Sequence, residues 1–245
     1  MKTVNKYRLT IFLILFLLII WEIFVQLGKI NTRILPPPSQ FVLALFTDCV
    51  GLMPHVWQTF IETVIGFIIA TLLGFFLAIL LDISPKIKRT VYPLLVVSQT
   101  VPIIALAPLL LLWFGFGILP KIIIVVLYCF FPIAIAGADG LAQTKKQFMK
   151  LLKSMNASYW QGLWLVRLPS SLPSFFSGLK IAATYSVAGA IVGEYVGAYQ
   201  GLGVYMQRAA NSYSIALVFA SIFLTITLSF IILITVMIVE SFYKY

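Results

Sequence analysis

Two stretches of this 245-residue chain, Thr90–Pro120 and Ala209–Val239, contain no charged residue, and four further apolar runs come close. A helix needs ~20 apolar residues to cross ~30 Å of hydrocarbon. In lipid every backbone N–H and C=O must also be paired within the protein, which leaves helices as the reading at this hydropathy. The runs give six spans, at about Leu9–Leu27, Trp57–Leu81, Val91–Ile118, Ile122–Leu141, Ser174–Val196 and Ser214–Val239. The expected fold class is all-α: a polytopic membrane protein, one domain over residues 1–245, with a polar loop at 142–173 between helices 4 and 5. Composition agrees, at 62% hydrophobic and 10% charged residues with a mean hydropathy of +1.07. Soluble domains carry roughly a quarter charged residues.

The formal charge of +10 does not point to nucleic acid, because the positive residues lie in short segments between apolar runs. That placement fits loops meeting anionic headgroups. With six spans the two termini share a side, and that side collects Lys2, Lys6, Arg8, Lys86, Lys88, Arg89, Lys145, Lys146, Lys150, Lys153, Arg167 and Lys244. The other side has Lys29, Arg33, Lys121 and Arg208, with Lys180 left inside the fifth span. The positive-inside bias puts both termini and the 142–173 loop in the cytoplasm. The start, "MKTVNKYRLTIFLILFLLIIWEIF", is basic and then apolar like a secretory leader. No small-residue cleavage site follows, so it reads as an uncleaved first span in the cell membrane.

Absent chemistry narrows function further. No G-x-x-x-x-G-K-[ST] occurs, so the chain does not cradle ATP phosphates in the Walker manner. The one histidine, His55, and the distant Cys49 and Cys129 provide no metal-ligand spacing. No paired carboxylates within a span suggest acid–base work. Charged residues inside the spans are Glu22, Glu62, Asp82, Asp139, Lys180 and Glu194. Of these Glu62, Asp82 and Asp139 fall near span ends, where water and headgroups are expected, and Glu22 suits pairing at an interface. Glu194 lies among small residues in "AGAIVGEYVGAYQGLG". It either lines a pathway or fixes close helix packing. Ion-coupled carriers usually add deep carboxylates and inverted repeats, neither of which is seen. Prolines 93, 102, 108 and 132 fall within or beside spans, each removing a backbone donor. In "RILPPPSQFVLALF" three prolines predict an extended lead, with Ser39 capping a short helix from Gln40.

In the polar loop, Phe148, Leu151, Leu152 and Met155 recur at helical spacing while Lys150, Lys153 and Ser154 fall on the opposite face. The spacing predicts an amphipathic helix of two to three turns, then a break at Asn156-Ala157-Ser158. Asn156 tolerates the left-handed conformation and Ser158 is available as a cap. A second helix, Tyr159–Val166, is expected to stop before Pro169, with Pro173 at the start of the fifth span. Physical reasoning leaves two readings open: a helix lying on anionic lipid, or a knob seated in a partner's groove.

The segment "MNASYWQGLWLVRLPSSLPSFFSGLKIA" resembles the cytoplasmic loop of binding-protein-dependent ABC importer permeases, whose signature is E-A-A-x3-G-x9-I-x-L-P. Leu168-Pro169 match its close and Val166 takes the isoleucine position. Asn156 stands in place of the glycine, and Lys150-Leu151-Leu152 in place of E-A-A. "LPPPSQ", "VPIIALAPLLLLWFGFG" and "IVGEYVGAYQGLGVYM" are similar to the sulfonate, taurine, nitrate and thiamine-precursor branch of that family.

The resemblance implies a translocation subunit that is not itself an enzyme and binds no cofactor, with ATP and Mg used by a separate ATPase. Its implied partners are that ATPase subunit, an extracellular solute-binding protein, a second permease chain in a homodimer, and the lipid bilayer. The coupling loop would comprise Phe148, Lys150, Leu151, Leu152, Met155, Asn156, Ala157 and Tyr159, with Leu168 and Pro169 joining it to the fifth helix. Tyr185, Glu194 and Tyr195 are the candidates for the translocation pathway. The substrate expectation is a small polar solute, the pyrimidine precursor of thiamine or a related heterocycle. Aliphatic sulfonates, taurine or nitrate form the alternative, and a carrier acting alone on an ion gradient is the rival class.

Overall fold

The protein is described by a computed structural model covering residues 2–28, 30–32, 34–144, 148, 152 and 154–243, with backbone only for residues 2–7. Among the described residues it contains helices and no strand. In chain order these are α1 (Lys2–Gln26), α2 (Pro38–Thr47), α3 (Cys49–Ile83), α4 (Pro85–Ser98), α5 (Ile103–Phe114), α6 (Leu119–Ala142) and α7 (Tyr159–Gly162). A single π turn (Leu163–Arg167) leads into α8 (Leu168–Gly197), followed by α9 (Leu202–Asn211) and α10 (Ile215–Phe242). Among the described residues five helices can each cross a membrane by length and apolarity, counting Tyr159–Gly197 as one, and the bent pair α4 and α5, taken together as one broken span, brings the number to six.

That sixth span differs from the unbroken Val91–Ile118 segment expected from hydropathy. Its two halves are bent by 97° at residues 99–102. Pro102 supplies no N–H and pushes Val101 away from helical geometry, so the chain turns there. Pro93 and Pro108 sit inside α4 and α5 without ending them. Residues 118 and 119 pass directly into α6 after Gly115, at φ +77°, closes α5.

The core is built around α6, which lies between α3 and α8. Lipid gives apolar helices no reason to associate, so close packing must hold them, and small residues allow it. Gly178 of α8 rests on α6, where a β-carbon would come within 2.8 Å of the Pro132 carbonyl oxygen. Gly66 and Gly74 of α3 meet Val125 and Ile133 of α6 in the same way. Buried Val125, Cys129, Ile133, Ala182, Ala183 and Val187 fill the centre. A second cluster (Leu81, Ala138, Leu141, Leu163 and Leu168) closes the end of the bundle that carries residues 143, 144 and 154–158, hereafter the loop end.

The outer helix α1 leaves most of its side chains exposed and docks through Trp21, whose ring meets Phe41 of α2 and Phe219 of α10. Ser39 is not the cap expected of it. Pro37 occupies the N-cap of α2, and Ser39 donates from its backbone N and hydroxyl to Glu22 of α1 at 3.0 and 2.7 Å. Glu22 thereby ties the first helix to the proline segment.

Candidate functional site: a stapled loop and a buried polar node

At the loop end the break predicted at residues 156–158 is present. Asn156 takes φ +52°, and the Ala157 N–H donates back to the Leu152 carbonyl at 3.0 Å. Ser158 caps α7 reciprocally: its hydroxyl accepts from the Gln161 N–H at 3.3 Å while its own N–H donates to Gln161 Oε1 at 2.8 Å. This S-x-x-Q capping box satisfies two donors that a helix start leaves orphaned. The turn folds Leu152 back against Gly162, where a β-carbon would meet Leu152 Cδ1 at 3.3 Å. Leu152 thus spends part of its apolar surface inside the chain. Phe148 and Met155 are exposed, Met155 at 70%. Lys150 and Leu151 lie outside the described residues.

The loop is stapled to α3. Tyr159 donates its hydroxyl to Asp82 Oδ2 at 2.8 Å, and the Arg167 guanidinium pairs with the other oxygen of the same carboxylate. Arg167 also lies over the Tyr159 ring, 5.9 Å from its centroid. Sequence reasoning counted Asp82 as a solvated span end and Arg167 as a loop charge. Their pairing links residues 85 positions apart and leaves no local signal. Trp160, Trp164 and Leu165 add an exposed apolar surface beside the turn that sequence reasoning did not single out.

Pro169 does not stop the second loop helix. The Leu168 N–H reaches the Leu163 carbonyl, closing one π turn, and the helix continues as α8 with Pro169 in its first turn. A proline costs little where its missing N–H would be unpaired anyway, and the wider turn makes room for its ring. Leu168 is buried, so the junction is fixed by packing as well as by backbone.

Toward the other end of the bundle, α3, α6, α8 and α9 share a polar node. Glu194 of α8 is 1% exposed; it accepts from the Thr59 hydroxyl at 2.6 Å and from the Gly203 N–H at 2.6 Å. Thr59 accepts in turn from the Leu202 N–H at 2.8 Å. Glu62, beside Glu194, is fully buried and pairs with Lys121 of α6 at 3.2 Å, and Gln58 donates to the same oxygen at 2.8 Å. Glu62 Oε2 has no partner among the described residues. Glu62 is therefore not at a solvated span end as expected, and Lys121 is not a free loop charge. Two carboxylates from separate spans meet here, which a search within single spans could not find.

Gly201, at φ +133°, makes the turn into α9, and any side chain there would overlap the Glu194 carboxyl. Around it His55 of α3 contacts Gly201 through Nδ1 at 3.0 Å and meets the Tyr205 ring at 5.2 Å. Tyr205 donates to Asp48. Burial first, then that carboxylate, pushes the Tyr205 phenol upward, so it stays protonated as the donor. Apart from Glu62 Oε2, the polar groups named in this node are spent joining helices, and among the described residues no cluster of three or more His, Cys, Asp or Glu side chains could hold a metal.

The three pathway candidates do not converge. Glu194 is enclosed in the node. Tyr195, half-exposed, directs its hydroxyl to Met206 Sδ at 3.7 Å. Tyr185 is 51% exposed and borders a cleft beside the 99–102 break. Asp139 accepts from the Tyr92 hydroxyl at 2.9 Å, and Lys180, inside α8, pairs with Glu240 of α10 at 3.1 Å.

Comparison with known proteins agrees with this architecture. A permease of Haemophilus influenzae described as a probable ABC transporter permease protein is 38% identical over 213 residues, covering 87% of each chain. The formylaminopyrimidine transport permease ThiX of Halalkalibacterium halodurans is also 38% identical, over 86% of this chain and 84% of its own. An inward-facing structure of the methionine ABC transporter MetNI superposes with a TM-score of 0.70 at 20% identity, covering 79% of this chain and 96% of that one. Residues 70–245 match the family described as binding-protein-dependent transport system inner membrane component. With its spans, stapled loop and membrane-grade surface, the chain belongs to that family: it is a multi-pass membrane permease subunit of an ABC importer, whose ATPase is a separate subunit.

Proposed function

We propose that this chain forms the path of an ATP-driven importer for the pyrimidine precursor of thiamine or a closely related heterocycle. Two copies would make the pathway, a solute-binding protein would deliver substrate from outside, and an ATPase subunit would dock on each 148–159 loop. Both termini and the loop would face the cytoplasm. ATP-driven closure of the ATPase pair would move the docked loops, and hydrolysis would reset them. The observation that carries the coupling role is the stapled turn, which exposes Phe148 and Met155 while Tyr159, Arg167 and Asp82 hold its base. Support for the substrate is the likeness to a formylaminopyrimidine permease over most of both chains.

Met155→Asp tests the docking. It puts a charge on a side chain that no neighbour within the chain needs, so the permease inserts normally and its ATPase no longer co-purifies. Normal co-purification would sink the assignment. For the substrate, the associated binding protein is screened by thermal shift, since a ligand that binds only the folded state raises its Tm by mass action. A shift with aliphatic sulfonates, taurine or nitrate but not with the pyrimidine would select the alternative class. Uptake by the purified chain alone, driven by an ion gradient without ATP, would remove the importer reading.

A further inference from the structure

The break between α4 and α5 opens onto a cleft of about 350 Å³ walled by α6 and α8. Gln99 and Pro102 come from the break, Tyr128, Phe131 and Pro132 from α6, and Tyr185 from α8. Three features set it apart from the rest of the surface. The Gln99 amide and the Tyr128 and Tyr185 hydroxyls make no hydrogen bond to any described residue, although three polar side chains border one small space. Pro132 has no N–H to give the Tyr128 carbonyl four residues earlier, so a backbone acceptor is freed at the same wall. Phe131, two prolines and the aliphatic Val101, Ile103 and Leu127 supply the remaining lining, and no acidic or basic side chain takes part.

We propose that this cleft is a selective binding step for a neutral, planar, hydrogen-bonding ring as it passes through the bundle, with Gln99, Tyr128 and Tyr185 as its recognising side chains. Flat rings gain from stacking on aromatic faces. The amide and hydroxyls each donate and accept, which matches the alternating donors and acceptors of an aminopyrimidine edge. A sulfonate or nitrate would bring a full negative charge to a lining without a cation. The uncapped N-terminus of α5 at Ile103 offers it no more than about half a compensating charge. The cleft lies apart from Glu194, so recognition and the polar node are separate devices in one bundle. The inference rests on the pyrimidine reading above and deepens it.

The complete complex of permease, ATPase and binding protein is reconstituted in proteoliposomes. Uptake is measured for formylaminopyrimidine and for its analogue lacking the ring amino group, each at saturating loaded binding protein. Tyr185→Phe and Gln99→Leu keep shape and remove one polar group. Each lowers uptake of the amino compound about 3- to 10-fold, the worth of one hydrogen bond, and erodes its preference over the analogue to the same degree. Wild-type uptake and preference in both variants, or an equal fall for both compounds, overturns the cleft as a selective site. Wild-type complex that carries taurine and not the pyrimidine overturns the substrate reading instead.

Discussion

Lys121→Met removes the only cation in contact with the buried Glu62 carboxylate among the described residues. At 3.2 Å and an effective dielectric of ~20, the attraction between the two charges is about 5 kcal/mol. Desolvation offsets much of that in the intact protein. Deleting one partner, however, leaves the other charge buried and unpaired, and such deletions cost about 3–5 kcal/mol. Gln58 still donates to Glu62, but a neutral amide does not replace the lysine's charge. Methionine fills the volume of the lysine stem, which lies across Gly193, so the loss is electrostatic and not a packing void. In detergent, the apparent Tm of Lys121→Met falls about 6–20 °C, at roughly 2–4 °C per kcal/mol for a chain of this size. Adding Glu62→Gln to it removes the orphaned charge and restores Tm to within about 2–4 °C of wild type, about 1 kcal/mol. The two changes are therefore strongly non-additive. Effects that sum to within about 0.5 kcal/mol would refute the pairing and the reasoning built on it.

Two further outcomes follow from the geometry. Gly201→Ala is disfavoured twice, by φ +133° and by overlap with the Glu194 carboxyl, and lowers stability by about 2 kcal/mol or more; melting in the same detergent checks it, and an unchanged Tm would contradict the turn. Asp82→Asn weakens the partly shielded pair with Arg167, costing about 1–3 kcal/mol while keeping the acceptor for Tyr159. Limited proteolysis then cuts within residues 148–158 faster than in wild type at an equal dose; equal rates would show that the staple does not hold the loop.

Local chemistry was readable from sequence and distant pairing was not. The apolar runs located the spans, because a helix in lipid must satisfy its own backbone. Asn156 and Ser158 announced the turn, since both act on their immediate neighbours; Gln161, the other half of the capping box, was not singled out. Pro93, Pro102, Pro108 and Pro132 lack the same N–H, yet the span breaks only at Pro102; what each helix packs against decides that, and sequence does not display it. Ser39 looked like a cap until Glu22, 17 residues away, claimed it. Lys121 and Arg167 read as loop charges because their partners, Glu62 and Asp82, sit on another helix. The expectation that Pro169 ends a helix failed for a comparable reason: one widened turn lets the helix absorb it.

That widened turn has a mechanical consequence. The 39 residues of Tyr159–Gly197 form one helical rod about 58 Å long, nearly twice the ~30 Å hydrocarbon thickness. A rod pivoting near its midpoint by ~10° sweeps its ends through about 5 Å, in opposite directions. Gly178 lies close to that midpoint, with no side chain of its own and pressed on the Ala136 methyl and the Pro132 carbonyl of α6, a close contact suited to a fulcrum. Under the coupling role proposed above, the helix would act as a first-order lever with its effort arm at Tyr159 and its load arm beyond Tyr185, so that a small pull at the loop would be geared into an opposite swing at the far end of the same helix.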